Sequence, residues 1–451
     1  MTTQATADLL AEVQALIRER EREGVLGLAE LIGAAEWADL VPQLEPHEVA
    51  VLIQWLPDEE IGDILEELPP IEAARILRSL SAPEASHLLG EMDPDDAADV
   101  VEALPDDAVD AILVRMKPED AAEIRQLSGY PPDTAGGIMT PEYVAVSKDA
   151  TSAQAIAAIR RLVDEAETVN YVYVVDEERH LLGVLSLYRL LLSPERTPVV
   201  ELMAPSTVRV KASADQETAA RILTDRNLLA IPVVDDDDHL IGIITEDDVA
   251  DVIEAEATED IERLGGSQPL NIPYRLASVP LLVRKRVGWL LLLFIAQGYT
   301  GTVLKSFEGE LAAVVALSFF IPLLIGTGGN VGSQTVTLVV RAMALNEVAL
   351  RDIGWLVFKE LRVGLVMGLV MAVMAVGQAW VLGVSSDIAT AVSIAVVAIC
   401  AWAALVAGAL PLVLRRLGVD PAVVSAPLIS TLVDGTGLLI YFEIARVVLQ
   451  L

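Results

Sequence analysis

Long apolar segments in the C-terminal part of the chain constrain its fold most. A helix needs about 20 mostly apolar residues to cross a hydrocarbon core about 30 Å thick. We therefore expect an all-α transmembrane domain of five spans, placed in a lipid membrane. The predicted spans are Val287–Val303, Leu311–Val340, Leu361–Val381, Ala389–Leu414 and Ala426–Leu449.

The acidic residues are concentrated before these segments. The 451-residue chain has a formal net charge of −35. Residues 1–270 contain 57 Asp and Glu against 19 Lys and Arg, whereas residues 271–451 contain 9 against 12. Phosphate recognition requires clustered Lys and Arg, so we expect no nucleic-acid partner. A surface with this many carboxylates favours divalent cations instead.

Most basic residues between the apolar segments fall on one predicted side of the membrane. Because Lys and Arg are enriched in cytoplasmic loops, the acidic half is predicted to be cytoplasmic and the C-terminus outside the cell membrane. The single cysteine, Cys400, permits no intrachain disulfide, and Met1–Glu23 lacks the apolar core of a secretory signal. The basic residues that set this orientation are Arg284, Lys285, Arg286, Arg341, Arg351, Lys359, Arg362, Arg415 and Arg416.

Residues 1–129 are predicted to form short amphipathic helices joined by Pro-containing turns. Pro followed by acidic residues is typical of a helix start, because the helix N-terminus carries the positive end of its dipole. Such turns recur at quasi-regular spacing, for example at Leu68-Pro69-Pro70 and Asp93-Pro94-Asp95. Repeated short helices usually stack into a solenoid, so we expect an α-helical superhelical N-terminal domain.

Two similar segments follow a Pro- and Gly-rich hinge at Tyr130–Gly137. They begin at Met139-Thr140-Pro141 and Met203-Ala204-Pro205, and each is predicted to continue as strand, helix, strand, strand and helix. This α/β pattern resembles a pair of CBS domains, which we place at residues 130–245. An acidic amphipathic helix within residues 246–270 is expected to connect them to the membrane domain at residues 271–451.

The second apolar segment contains Pro322 and four glycines between Ile321 and Thr335. Pro removes a helix donor and Gly weakens a helix, so we expect an opened helix there. Irregular backbone at membrane depth is tolerated where it lines a wet cavity, and its carbonyl oxygens suit hard cations. The alternative is close helix packing through small residues.

The fifth segment carries an ionisable residue, Asp434, near its middle. A charge at this depth costs at least ~2.5 kcal/mol, so it usually marks an ion path or has a charged partner. The basic residues lie at the ends of the spans, which disfavours an internal salt bridge. In a symmetric dimer two Asp434 carboxylates would repel unless a cation or a shared proton lay between them. Asp434 is therefore a candidate ligand of a pore ion.

Together these motifs resemble the MgtE family of magnesium channels and transporters, over almost the whole chain. The resemblance rests on Tyr130–Pro141, Glu256–Ile261, Gly328–Gln334 and Asp434–Leu438. It implies a homodimeric, magnesium-selective channel that mediates Mg²⁺ uptake and closes when Mg²⁺ binds to its cytoplasmic domains. In the pore, it implies that Asp434 of both subunits holds hydrated Mg²⁺ beside Asn330 and carbonyls of the second span, with Gly329 among them.

The resemblance also implies regulatory magnesium ions between acidic cytoplasmic faces. By motif match their ligands would be Asp215, Glu217, Asp248, Asp251, Glu256, Glu259 and Asp260, together with Asp95, Asp96 and Asp99.

ATP binding by the CBS pair is also a family feature, but two positions depart from the usual pattern. CBS copies often follow the last strand with Ser/Thr-x-x-Asp, whose Asp holds a nucleotide ribose. The second copy keeps this as Thr245-Glu246-Asp247-Asp248, whereas Arg189 replaces the carboxylate in the first. Leu228 stands where an aromatic ring would stack on adenine. These departures argue against ATP binding.

Two other functions stay open. A proton-coupled divalent-cation transporter would use Asp434 as proton carrier and the CBS pair as nucleotide sensor, since broken helices also suit transporters. A membrane-anchored regulator without transport would leave the cost of Asp434 unexplained. The acidic half favours a cation sensor over a nucleotide sensor, and the residues do not separate magnesium from manganese, cobalt or nickel. Four histidines, one cysteine and no phosphate-cradling loop predict that the chain is not an enzyme.

Overall fold

Ten short helices form the first part of the computed structural model, which describes residues 3–163, 166–205 and 208–451. A 3-10 turn at Val41–Gln43 separates the third helix from the fourth. The helices are α1 (Thr3–Glu19), α2 (Arg22–Ala29), α3 (Ala34–Leu40), α4 (Pro46–Trp55), α5 (Asp58–Glu66), α6 (Pro70–Leu77), α7 (Ala82–Leu89), α8 (Pro94–Glu102), α9 (Asp106–Leu113) and α10 (Pro118–Leu127).

Proline begins every second helix from α4 to α10, where its missing N–H removes no intrahelical bond. Helices two apart in the chain contact each other in a row, α3 with α5, α5 with α7 and α7 with α9, and likewise α6 with α8 and α8 with α10. Leu65, Leu77 and Leu89 are fully buried between them. The superhelical N-terminal domain is thus confirmed as a fold.

Two α/β segments follow, and they confirm the predicted tandem CBS fold. In the first, β1 (Tyr143–Ser147), α11 (Ser152–Leu162), β2 (Thr168–Val175) and β3 (Leu181–Ser186) are followed by α12 (Leu187–Leu192), α13 (Val199–Leu202) and β4 (Ala204–Pro205). The sheet order is β1-β2-β3-β4, with β1 parallel to β2 and the other pairs antiparallel.

The second copy repeats the first. It consists of β5 (Val210–Lys211), α14 (Gln216–Arg226), β6 (Ala230–Val234) and β7 (Leu240–Thr245), with β5 parallel and β7 antiparallel to β6. The start of each copy pairs with the sheet of the other. Pro205 is in register with Gly183 of β3, and Thr140 exchanges two 2.9 Å backbone hydrogen bonds with Ile243 of β7.

The acidic helix α15 (Glu246–Leu264) follows β7 directly and confirms the predicted connecting helix. The structure divides into two units within this helix, Met1–Ala255 and Glu256–Leu451. The predicted boundaries at residues 129, 245 and 270 stay predictions.

Long helices dominate the second unit. They are α16 (Val279–Ser306), α18 (Ile321–Ala344), α19 (Ile353–Leu382), α20 (Ser386–Arg416) and α21 (Ala426–Leu449), and the short α17 (Glu308–Ala313) lies between α16 and α18. Three stretches are long and apolar enough to cross a membrane, namely Val315–Ala344, Leu350–Leu382 and Ser386–Arg416. Since α16 and α21 run for 28 and 24 residues, the helices are consistent with five spans, whose number stays a prediction.

The prediction of an opened helix in the second span is wrong. The α18 helix is continuous through all four glycines, and Pro322 lies in its first turn, where no donor is lost. Three of the four glycines, Gly328, Gly329 and Gly332, serve close packing instead. A Cβ at Gly328 would lie 2.7 Å from Ile399 Cγ2, and one at Gly332 would lie 2.5 Å from Ile429 Cγ2.

Candidate ion-binding sites

The first candidate site surrounds Asp434, two turns inside α21. Ser425 begins this helix by accepting a 3.3 Å hydrogen bond from the Leu428 amide, and Pro427 preorganises the first turn. Asp434 is half-buried within one chain. Beside it, Trp402 of α20 donates a 2.9 Å hydrogen bond to the Thr436 hydroxyl, which fixes one side of α21.

The glycine face of α18 lies against the same part of α21. A Cβ at Gly329 would lie 3.1 Å from Ser430 Oγ, one turn before Asp434. Ser333 Oγ and Ser430 Oγ are 3.2 Å apart and share a hydrogen bond. Asn330 is exposed on α18. Because backbone carbonyls inside a continuous helix accept intrahelical bonds, the role predicted for the Gly329 carbonyl does not fit this conformation.

The α16 helix supplies a polar contact that the sequence analysis missed. The Gln297 side chain lies within reach of the Asp434 carboxylate, to which its amide N–H can donate. One turn further on, Thr300 Oγ1 would lie 3.1 Å from a Cβ at Gly435. The only signal in the sequence was a polar side chain, Gln297, inside the predicted span Val287–Val303.

The second candidate site is a cluster of carboxylates in the first unit, on the helices α5, α8 and α15 and at the end of the β1–β2 connection. Glu66, Asp93 and Asp96 each offer an oxygen, and these oxygens lie within 4.8 Å of one another. The Asp93 amide donates a 2.6 Å hydrogen bond to Glu66 Oε1. One oxygen of Asp95 is buried without a hydrogen-bond partner in the described residues. The acidic cluster comprises Glu66, Asp93, Asp95, Asp96, Asp99, Glu167, Asp247, Asp248 and Asp251.

Burial and mutual repulsion raise the pKa values of most of this cluster. Burial, then Asp95 and Glu66, raises the pKa of Asp96 to about 9. Burial and the charge of Asp93 raise the pKa of Glu167 to about 8 and that of Glu66 to about 7. Burial and Asp248 hold the pKa of Asp95 well above its usual range. Without a cation these groups retain protons near neutral pH.

Three further carboxylates of the cluster, Asp99, Asp248 and Asp251, also have raised pKa values. Burial, Glu102 and Asp248 raise the pKa of Asp99 to about 6, although its side chain keeps an exposed surface. Burial raises the pKa of Asp248 to about 6 against two hydrogen bonds from Thr245, of 2.9 and 2.8 Å. Burial and Glu254 raise the pKa of Asp251.

The structure brings five of the predicted sensor residues into this cluster, namely Asp95, Asp96, Asp99, Asp248 and Asp251. Asp215 and Glu217 are both exposed at the start of α14. Asp215 caps the helix, and its Oδ1 accepts a 3.3 Å hydrogen bond from the Thr218 amide. Neither is among the charges that raise the pKa values of the cluster. The sequence analysis missed Glu66 and Glu167, which are distant in the chain from the predicted residues. It also missed Asp93 and Asp247, although they lie next to the predicted Asp95 and Asp248.

A third group of acids lies at the C-terminal end of α15, in the second unit. Arg263 forms ion pairs with Glu259 and with Asp420, which follows α20. Burial, then Asp420 and Glu256, raises the pKa of Asp260. Burial also raises the pKa of Glu259, against the opposing effect of Arg263. The predicted residues Glu256, Glu259 and Asp260 thus share one environment with Asp420.

Comparison with known proteins assigns the family. The model of the divalent cation transporter MgtE matches residues 321–444, that of the MgtE intracellular N domain matches 32–133, and CBS domains match 135–194 and 199–255. The magnesium transporter MgtE of Thermus thermophilus is 45% identical over 327 residues, or 72% of each chain. The chain belongs to the MgtE family. The magnesium transporter MgtE of Enterococcus faecalis, 36% identical over 334 residues and again 72% of each chain, agrees.

Two solved structures are similar to this chain over about half of its length. The crystal structure of the soluble part of a magnesium transporter is 31% identical, with a TM-score of 0.52, and covers 56% of this chain and 99% of its own. The crystal structure of the cytosolic domain of the Mg²⁺ channel MgtE in complex with ATP is 36% identical, with a TM-score of 0.52, and covers 54% and 99%. The MgtE family is one of divalent-cation transporters and not a class of enzymes.

Proposed function

We propose that this MgtE-family chain is a magnesium-selective channel that mediates Mg²⁺ uptake and closes when Mg²⁺ binds to its acidic soluble part. The observation that carries the proposal is Asp434, a half-buried carboxylate inside an apolar helix with an amide donor and a serine-lined contact beside it. Magnesium keeps most of its waters and binds through one or two carboxylates. One Asp434 from each of two copies therefore suits a hydrated ion.

A homodimer is part of this proposal. Asn330 is exposed on α18 and Asp434 is half-buried in one chain, so a second copy could complete the surroundings of both. We place the dimer in the cell membrane with the acidic half in the cytoplasm and the C-terminus outside, because the basic clusters named above share one predicted side. In this arrangement Asn330 acts through its side chain, and Gly329 acts by letting α18 approach α21.

Closure by Mg²⁺ is supported by the acidic cluster and by the acids at the end of α15. Mutual repulsion makes these carboxylates keep their protons when no cation is present. A divalent cation neutralises their charge and so lets them release the protons and bind it. The cluster joins the N-terminal helices, the CBS pair and the first part of α15, whose last turns carry Glu259 and Asp260. Binding at both ends of one helix would link the cytoplasmic magnesium concentration to the membrane part. Asp215 and Glu217 remain candidate ligands of a separate ion.

Nucleotide is not part of the proposal. A relative's cytosolic domain is described in complex with ATP. In this chain Arg189 donates a 2.9 Å hydrogen bond to the Leu202 carbonyl, and the Asp248 carboxylate accepts hydrogen bonds from Thr245. The first copy therefore lacks the carboxylate that holds a ribose in the CBS pattern, whereas the second copy keeps it as Asp248, and we do not propose ATP binding.

Flux through the purified protein in liposomes tests the function. We expect uptake of Mg²⁺ without a proton gradient, falling as Mg²⁺ rises on the cytoplasmic face, with Mn²⁺, Co²⁺ and Ni²⁺ compared in turn. Uptake that requires a proton gradient would instead favour the coupled transporter. No flux of any divalent ion would contradict both.

A further inference from the structure

A polar contact joins α16 to Asp434 in the middle of an apolar helix pair. The Gln297 amide lies within reach of the Asp434 carboxylate. About two turns before Gln297, Trp289 Nε1 donates a 3.1 Å hydrogen bond to the Oγ of Ser425, which caps the start of α21. One turn beyond Gln297, Tyr299 and Thr300 lie against Gly435, where a Cβ would overlap the Tyr299 ring. These contacts keep one register along two parallel helices, so Gln297 is held at the level of Asp434.

Thr300 provides a second, independent observation. Its side chain is 5% exposed, and its hydroxyl has no hydrogen-bond partner among the described residues. A buried hydroxyl without a partner is unfavourable, so such groups are normally satisfied by protein or by an ordered water. This hydroxyl lies beside Gly435, the residue that follows Asp434, so a water held near Asp434 could satisfy it.

We propose that α16 forms a wall of the ion site, with Gln297 as a positioning residue for Asp434 and Thr300 as a binding group for water of the hydrated ion. This assignment rests on the ion role proposed for Asp434. An amide N–H on one carboxylate oxygen fixes the carboxylate plane and leaves the other oxygen for the ion's water. The amide carbonyl of Gln297 can accept a hydrogen bond from a second water. Both groups therefore favour a hydrated divalent ion over a dehydrated one.

Substitution of Gln297 tests the positioning role. Gln297→Met keeps the length and unbranched shape of the side chain but removes the amide. We expect the Mg²⁺ concentration for half-maximal flux to rise about tenfold, as for loss of a hydrogen bond to a charged group. We expect the maximal flux to change little and the flux of Ca²⁺ relative to Mg²⁺ to increase. Gln378→Met, the same change at an exposed position of α19, should leave all three quantities at the wild-type values.

Substitutions of Thr300 test the proposed water-binding role. Thr300→Val preserves the shape and should raise the half-maximal concentration a few-fold, whereas Thr300→Ser, which keeps the hydroxyl, should restore it. A purely structural role would lower maximal flux and protein yield without changing the preference between Mg²⁺ and Ca²⁺. If Gln297→Met does not give a folded protein, the Thr300 pair and Gln297→Glu decide, because an added carboxylate at the ion must alter half-maximal concentration.

Two failures are distinguishable. Wild-type half-maximal concentration and ion preference in folded Gln297→Met and Thr300→Val would overturn the role of α16, while flux that still depends on Asp434 would keep the proposed function. Flux that does not depend on Asp434 would overturn the proposed function itself.

Discussion

Asp434 is the side chain on which divalent flux should depend most. Replacing Asp434 with Ala removes the paired carboxylates of the proposed dimer, so flux should fall to a small fraction of the wild-type value while the protein stays folded. Tracer uptake into liposomes measures this. Glu308→Ala is the matched control, because an exposed charge before the second span acts by attraction that salt screens. Wild-type uptake by Asp434→Ala would remove Asp434 from the ion path.

Some of the candidate site residues could be identified from the sequence alone and others could not. Asp434 could be found because a carboxylate inside an apolar run is costly by itself. Gln297 could not be ranked above other polar side chains, since its role depends on a register between α16 and α21 that only the packed structure defines. Likewise Glu66 and Glu167 lie far from Asp95 and Asp96 in the chain, so their shared cluster is a tertiary property. Asp95 and Asp96 were found through a family motif.

Among the elements, α18 gives the clearest prediction. Gly332→Ala would place a methyl group 2.5 Å from Ile429 Cγ2, which must force α18 and α21 apart. Overpacking of this kind costs about 1–3 kcal/mol, so the thermal midpoint of the protein in detergent should fall by several degrees. Gly326→Ala is the control on the same helix, since a Cβ there meets no atom within 4 Å. Equal midpoints for the two variants would show that the glycine face does not hold the helices together.

The secondary structure was largely predictable. Proline-started helices and the duplicated α/β segments follow local signals, such as proline placement and alternating valines. The prediction of an opened α18 was wrong because helix propensity alone is a weak guide to the conformation of a packed segment. Gly328 and Gly332 lose backbone entropy in a helix, but they gain contacts with α20 and α21 that longer side chains would block. Local preference cannot show which neighbour a glycine will face.

At the scale of the whole molecule, the acidic cluster should make stability depend on pH. A carboxyl with a raised folded pKa stabilises the protein below its unfolded pKa of about 4, and this contribution is lost as pH rises through the folded value. For the cluster that window runs up to about 6 for Asp99 and about 9 for Asp96. Without magnesium, amide exchange in α8 should therefore be better protected at the acidic end of the window, after correction for intrinsic rates.

Magnesium should reverse this trend, because it replaces the protons. We expect added Mg²⁺ to protect α8 strongly at the alkaline end of the window and weakly at the acidic end. Asp96→Asn should flatten the pH dependence and reduce the response to Mg²⁺, whereas Asp107→Asn, at an exposed position in α9, should do neither. Protection that rises with pH in the absence of magnesium would contradict the assignment of the cluster.

The charge of the acidic half should make gating depend on magnesium. At net −38 per chain, two copies of residues 1–270 should repel each other, and bound divalent ions would favour a closed arrangement. To shift the ratio of closed to open channels from 1:99 to 99:1, the ions must bind the closed state more tightly by about 5.5 kcal/mol. A single exposed site could hardly supply that, but several ions could. Closure should therefore be steep in cytoplasmic Mg²⁺ and weaken gradually as acids are removed. Deleting residues 1–129 should weaken it as well.

Patch recording with millimolar Mg²⁺ on the cytoplasmic face tests this most directly. The variant is Glu256→Gln, Glu259→Gln and Asp260→Asn together, and its control removes the same charge from three exposed acids of α9, Asp106→Asn, Asp107→Asn and Asp110→Asn. We predict that the α15 variant stays open at magnesium concentrations that close the wild type and the α9 control. If the α15 variant closes at the wild-type concentration, these acids are not the sensor and the account of gating is wrong.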